Sequence, residues 1–521
     1  MFYLLYKSST SACFELDNRE AYYSPSVYTI LLDGEKVREG NTNVFSLFGL
    51  KPDTEYELTL VSADDQETLR FKTLEETCAL NVRDFGAVGD GVKDDTDAIR
   101  TALSFLPEGG RLYFPAGTYL TLPQALKSNI TIEIGEGAVI LGSPDREKYP
   151  ILPGEVRNMN DGEKMIFGAF EGNVCEMYQS LFTAAYAQNI TIIGPGTVDG
   201  NGGGGDFWTN FKNFKTARPR LFFFNHCEKI RVHGIHACNS PSWQFHPFFS
   251  KRLGFFDVFI SAPKDSPNTD AIDPESCKQV EIIGCRFSVG DDCIAIKSGK
   301  MELGVRYRTP ADRHTIRNCL MEFGHGAVTL GSETSAGVRN LTVEKCVFRQ
   351  TDRGLRIKTR RGRGKYCNIS GVVFNDIRME GVKTPVVINM WYNCCDPDRF
   401  SEYVWSRDKL KVDDRTPHLG TFLFRNLDCT DAEAAACYID GLPEMPIDEV
   451  TFQKCRISFA ENAKPGIPAM ENFAEKRCRL GLYLENVRRI RVEDVTLEGV
   501  DGDSLIASGY EDLQVEKLKE A

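Results

Sequence analysis

"QVEIIGCRFSVG", residues 279–290, reads as a polar residue, then [VIL]-x-[VIL], then glycine, then a second short apolar run. The same pattern returns in "NITIIGPGTVDG" (189–200), "KIRVHGIHACNS" (229–240), "TIRNCLMEFG" (315–324), "NLTVEKCVFRQT" (340–351), "EVTFQKCRIS" (449–458) and "RIRVEDVTLEG" (489–499). The repeats follow one another at roughly 23–40 residues and are almost free of helix, which is the signature of a parallel β-helix or solenoid. A sandwich would carry turn signals every ~8–12 residues and would not repeat this way. A propeller would carry blade signatures such as GH…WD, and these are missing.

Directly after the first stretch come two adjacent aspartates, Asp291 and Asp292, and then "CIAIKSG". Like charges so close resist joint ionisation, so the pair needs a reason. Coils of a solenoid stack at strand spacing, about 4.8 Å, and residues at matching positions line up. Asp270 in "SPNTDAID" falls about one coil earlier, and His325 in "FGHGAVTLGS" about one coil later. Arg356 and Lys358 follow in "DRGLRIKTRRGRGK", and Tyr392 in "INMWYNCC". The expectation is one polar residue per coil, in a single vertical row facing a groove. Three carboxylates within reach of one another keep a proton near neutral pH. Glycosidic hydrolysis uses that arrangement, with one acid for the leaving oxygen and one carboxylate for water. Calcium is the competing reading of the acids, opposed by Arg356, Lys358 and His325 in the same row.

Seven Lys or Arg residues and no acid lie between Arg353 and Lys365, in a chain of net charge −12. Arg356 and Lys358 are two apart on an apolar strand and so share a face. They suit an anionic substrate, and in carbohydrate chemistry that is a uronic acid. Arg360, Arg361, Arg363 and Lys365 read as a solvated loop.

The 521 residues allow a large core and more than one domain. The acidic balance, pI about 5.3, argues against nucleic acid. No apolar run approaches the ~20 residues of a membrane span. The start lacks a basic n-region and a long h-region, so no signal peptide is expected. Seventeen cysteines, scattered and odd in number, read as reduced thiols and a cytoplasmic setting. The adjacent Cys394-Cys395 carries no motif of its own.

Residues 1–76 read as a small all-β unit ahead of the solenoid at 77–521. It has a hairpin turning at Asp33-Gly34, and "LKPDTEYEL" (50–58) resembles the tyrosine-corner region of fibronectin type III domains. Between the two, "DAIRTALSFL" is an amphipathic helix with Asp95 or Thr96 as N-cap.

"NTD" (268–270), "GDD" (290–292), "GHG" (324–326) and "RIK" (356–358) resemble, in order, the four signatures of the polygalacturonases, glycoside hydrolase family 28. "FGAVGDGVKDDTDAI" (85–99) is similar to the start of pectate-lyase-like β-helices. The resemblance covers roughly residues 80–500. It implies a right-handed parallel β-helix and hydrolysis with inversion, with no cofactor and no metal. It also implies that Asp291 is the general acid, that Asp270 and Asp292 handle the water, and that His325 supports the acid. Asn268, Arg356, Lys358 and Tyr392 would bind a pectic oligosaccharide or polysaccharide. Ala271 replaces a usual glycine, and its methyl group is expected to narrow the groove. Gly290, the insertions at 143–186, 300–313 and 393–418, and the fibronectin-like unit in front resemble bacterial exo-acting members, and the insertions at 300–313 and 393–418 are expected to sit beside the groove and close one end. A hydrolase of another pectic backbone, such as rhamnogalacturonan, is the alternative; such enzymes tend to lose GHG or RIK. A lyase would need a calcium cluster besides GDD, and a non-catalytic pectin-binding solenoid would not need three clustered acids. The sequence leaves the oligomeric state open.

Overall fold

The computed structural model describes residues 1–63, 65–160, 162–211, 216–393 and 401–520; Cys394-Cys395 lies outside them. From Ala79 onward the coil strands are parallel and stack into one long ladder, and only the short strand pairs within 151–178 are antiparallel among the described residues. A single register runs Ile190, Ile230, Leu253, Val280, His314, Leu341, Val372, Phe422, Val450, Ile490. These side chains are buried in one continuous core. That column is why the [VIL]-x-[VIL] repeat is so regular, since each coil must bury the same face on its neighbours.

The Gly/Asn/Asp position of the repeat is a corner. Gly234, Gly284, Asn318, Asp376, Asn426 and Asp494 all take φ between 51° and 79°, a region that costs these residue types least. The cysteines that follow such corners turn inward. Cys285, Cys319 and Cys455 donate weakly to carbonyls of the preceding coil at 3.4–3.5 Å. All fifteen described cysteines are thiols, twelve of them buried.

The second ladder carries the site. It runs through Phe245–Phe248, the bridging residue Ile272, Ile294–Ile296, Val328–Gly331, Arg353–Lys358, Thr384–Asn389 and Ala435–Asp440. The amphipathic helix is present as Thr96–Phe105. Asp95 precedes it, but its carboxylate accepts from the Val88 and Gly89 amides at 2.8 and 2.9 Å rather than from the helix.

Residues 2–72 form a three-stranded and a four-stranded antiparallel sheet over their own core, including Phe14, Ile30, Phe45, Leu58 and Phe71. Asp33 and Gly34 both have positive φ, 50° and 84°, as a two-residue type I′ hairpin requires. The Tyr56 hydroxyl accepts from the Lys51 amide at 2.8 Å, the hydrogen bond of a tyrosine corner. This unit sits against the corner row of the solenoid. Glu15 takes Arg317 at 2.7 Å, and Ser46 donates to Asp257 at 2.5 Å. Two of the corner glycines make the approach possible, because a Cβ on Gly234 would fall 2.1 Å from Phe48 and one on Gly284 2.4 Å from Val44.

Candidate active site

The turns entering successive strands of the second ladder are tied by backbone hydrogen bonds. Gln244 donates to Asp270, Ala271 to Asp292, Cys293 to Gly326 and His325 to Asp291, at 2.8–3.1 Å. This ladder stacks NTD, GDD and GHG on one another, and it needs their glycines. A Cβ on Gly324 would lie 2.6 Å from the Cys293 sulfur, and one on Gly326 would lie 2.9 Å from Asp292 Oδ1. Gly290 is pressed on the carbonyls of Pro263 and Ser266, where a Cβ would stand at 2.6–2.7 Å.

The result is a cavity of about 360 Å³ lined by Asn268, Asp270, Asp291, His325, Arg356, Lys358 and Tyr392. Asp292 lies directly behind it, fully buried. One oxygen from each of Asp270, Asp291 and Asp292 falls within 4.8 Å of the others. All eight residues singled out from the sequence therefore meet at one place, but in two rows rather than one. The acids and His325 sit on the turns, while Arg356 and Lys358 project from the following strand, in register with Thr329 and Gly331 of the coil before. The rows face each other across Asp292. Arg356 Nη1 donates to its Oδ1 at 3.0 Å and Lys358 Nζ to its Oδ2 at 2.8 Å.

These contacts divide the acids. Burial opposes the charge on Asp292, yet Lys358 and Arg356 hold its carboxyl far below the usual range. Asp270 is 4% exposed and has no such partner among the described residues; burial, then Asp273 and Asp291, pushes its carboxyl well up. The site thus carries an ionised acid beside one inclined to hold a proton. The three oxygens are close enough to share a cation, but the ligand they would need most, Asp292, already has two positive partners. Asn268 is fixed by Arg218, whose Nη2 donates to Oδ1 at 2.5 Å. His325 is half exposed, with Nδ1 3.7 Å from Asp291 Oδ1. Lys358 stands 5.8 Å from the centre of the Tyr392 ring.

Three expectations need correction. The Ala271 methyl points into the core, fully buried, and does not narrow the groove. Arg360, Arg361 and Arg363 are buried, not solvated. Arg361 pairs with Glu444 at 2.6 Å, lies 4.7 Å from the Trp391 ring centre, and donates to backbone carbonyls of Tyr403, Ser406 and Asp408. Only Lys365 is exposed, paired with Asp414. The third concerns the walls. Glu171 of the 143–186 insertion and Lys300 line the cavity. The helix Met301–Tyr307 packs there through Leu303 on Ile166, Ala169 and Met177. Among the described residues of the 393–418 insertion only Asn393 lines it; residues 394–400 lie outside them, and Tyr403, Ser406 and Asp408 are turned to Arg361. The other wall is a loop that the sequence did not single out, 461–479. Its Met470 sulfur accepts from Arg356 Nη2 at 2.8 Å, and its Pro468 and Ile467 carbonyls accept from Arg353.

Also unforeseen were Trp243, Lys297 and Glu333, which line the cavity. Lys297 had a signal, because it is a lone cation at an outward position of the apolar strand after GDD. Trp243 lies in "NSPSWQFHP" (239–247), a stretch that also resembles a family segment, whereas Glu333 had no signal.

A family model described as glycosyl hydrolases family 28 matches residues 167–467, which is 301 of the 521 residues. Another, described as rhamnogalacturonase A/epimerase, pectate lyase-like, matches residues 79–213. A probable polygalacturonase of Vitis vinifera is 31% identical over 396 residues, covering 73% of this chain and 74% of that protein. An endo-polygalacturonase of Pectobacterium carotovorum is 29% identical over 314 residues, 57% of this chain and 72% of its own. A family 28 exopolygalacturonase of Yersinia enterocolitica has the same fold over 99% of this chain and 98% of its own, with a TM-score of 0.72 at 19% identity. With four ordered motifs gathered at one cavity and a family match over more than half its length, the chain belongs to family 28 of the glycosyl hydrolases.

Proposed function

We propose that this chain hydrolyses the α-1,4 bonds of polygalacturonate or oligogalacturonides, working from a chain end. The observation that carries this reading is the pairing of three carboxylates with Arg356 and Lys358 at one cavity. Arg356 and Lys358 both pair with Asp292, but two cations exceed the charge of that one carboxylate, and the surplus suits an anionic sugar. In this reading Arg356 and Lys358 grip the carboxylate of the sugar at the cleaved bond, as a guanidinium fork and a point charge. Asp291, the most accessible of the three acids, protonates the leaving oxygen. Asp292, kept ionised, takes the proton of the attacking water, with Asp270 orienting that water. His325 stands beside Asp291, its Nδ1 3.7 Å from Oδ1, and supports the acid in place.

Attack from a chain end is supported by the walls. The turn at Glu171 and Lys300 bounds the cavity on the side of the earlier coils, and the 461–479 loop bounds it on the other. The expected product from polygalacturonate is one small sugar, mono- or digalacturonate, from the first minutes, with viscosity falling slowly relative to new reducing ends. A chromatographic time course checks this. An early ladder of intermediate oligomers with rapid loss of viscosity would mean internal cleavage.

We further propose inversion at the anomeric carbon. The acid oxygens are closer here than the ~6.5–9.5 Å usual for inverting pairs. Asp270 and Asp292, however, are buried behind the more accessible Asp291, a placement that suits holding and deprotonating a water between them and the sugar better than direct attack on the anomeric carbon. Proton NMR of the first-formed product should show the β-anomer. Initial release of the α-anomer would point to double displacement.

A further inference from the structure

On the side of the earlier coils the cavity ends in a charged cluster that the chemistry above leaves unused. Lys297 is one residue past Ile296, in the register that leads through Gly331 to Lys358. Gly331 brings no side chain, so a gap separates the two lysines along the face. Glu333, 4% exposed, lines the cavity here. Its Oε2 is 3.2 Å from Lys297 Nζ, which also lies 3.6 Å from Asp273 and 4.7 Å from the Trp243 ring centre. Burial opposes its charge, but Lys297, Lys300 and Lys358 keep its carboxyl down at about 2. Glu333 therefore occupies a nest of three cations at the edge of the reacting site. The Glu171-Gly172 turn closes over it. The Gly172 carbonyl accepts from the Lys300 amide at 3.3 Å. A Cβ on Gly172 would meet Lys300 N at 2.7 Å and Glu333 Cγ at 2.8 Å, and φ is +70°.

We propose that Glu333, with Glu171 at the rim, is the chain-end selector of this enzyme. It fills with the protein's own carboxylate the cationic place that the carboxylate of a further uronate would take. The inference rests on the galacturonan-hydrolase reading and adds the residues that set where the chain stops. A polyanion threading through would have to displace a buried, ion-paired carboxylate and run past Glu171. That is rejection by like charge as well as by shape. A terminal sugar needs neither.

The test compares the wild-type enzyme with Glu333→Ala, Glu333→Asp and Glu171→Gln on polygalacturonate, with melting curves to establish folding. Glu333→Ala frees the lysines and opens space. It is expected to raise the share of early products longer than the wild-type product roughly tenfold, the scale of one modest charge contact. Glu333→Asp keeps the charge and should keep the wild-type product. Glu171→Gln, at a half-buried turn, should shift products the same way by a smaller factor, and it decides the matter if Glu333→Ala does not fold. Folded variants that release the wild-type product alone overturn the selector and leave the hydrolase reading standing. A wild-type enzyme that leaves polygalacturonate intact overturns both.

Discussion

Asp291→Asn should lower the rate on polygalacturonate by ~10²–10⁴, the usual worth of general acid assistance, while the protein melts as the wild type does. The fold should survive because the substitution is nearly isosteric and keeps the oxygen that accepts the Asp292 amide at 2.9 Å. Asparagine cannot give a proton to the leaving oxygen. The loss should accordingly depend on the leaving group. An aryl galacturonide, whose phenolate departs without a proton, should lose far less than the polymer. This comparison matters because Asp270 is the acid that burial and its neighbours push upward. If Asp270→Asn shows the leaving-group dependence and Asp291→Asn does not, the roles of the two are exchanged. Retention of more than about a tenth of wild-type kcat by Asp291→Asn would reject it as the acid outright.

Removal of Lys358 or Arg356 should act twice. Each is expected to grip the substrate carboxylate, and a hydrogen bond to a charged group contributes about 1.5–3 kcal/mol. Lys358→Ala or Arg356→Ala should thus lower kcat/KM on polygalacturonate by at least about tenfold. Each also neutralises buried Asp292, and a buried charge that loses a partner is destabilising. Methyl-esterified substrate should therefore lose activity too, by a smaller factor. The pH profile separates the two effects. The carboxyl of Asp292 is held low by these cations, so it stays ionised well into the acid range. Without Lys358 that carboxyl rises, and the ionised form is lost at a higher pH. If Asp292 accepts the water's proton, the acid limb of kcat/KM moves to higher pH in Lys358→Ala, as measured on the neutral substrate. Equal losses on both substrates with an unmoved acid limb would make Arg356 and Lys358 structural.

The N-terminal unit is joined to the solenoid by buried groups rather than by a loose linker alone. Glu15 is 2% exposed and receives Arg317 and the Asn318 amide, while His233 lies between Ser11 and Ser46 at 3.1 and 2.8 Å. These contacts lie on the corner row, and none of the residues named in them lines the cavity.

The sequence alone determined the solenoid and the meeting of its acids. Each coil of a β-helix repeats one local solution, with apolar residues inward, a Gly, Asn or Asp at the corner, and the next coil at fixed spacing. Residues 21 and 34 apart, as from Asp270 to Asp291 and from Asp291 to His325, then become neighbours by stacking alone. What the sequence left undecided is set by contacts that no period encodes. The run from Arg353 to Lys365 looks uniform in charge, yet Arg356 faces the cavity, Arg361 is sealed against Glu444 eighty-three residues later, and Lys365 is in solvent. The walls come from segments far apart in the chain, the turn at Glu171-Gly172 and the loop 461–479, which carry none of the coil repeat. The ionisation of Asp292 was likewise invisible, because a carboxyl's pKa depends on which cations reach it through the fold, and Arg356 and Lys358 arrive more than sixty residues later. Stacking is local and written in the repeat, whereas burial and charge pairing are sums over everything nearby, and only the folded chain fixes what is nearby.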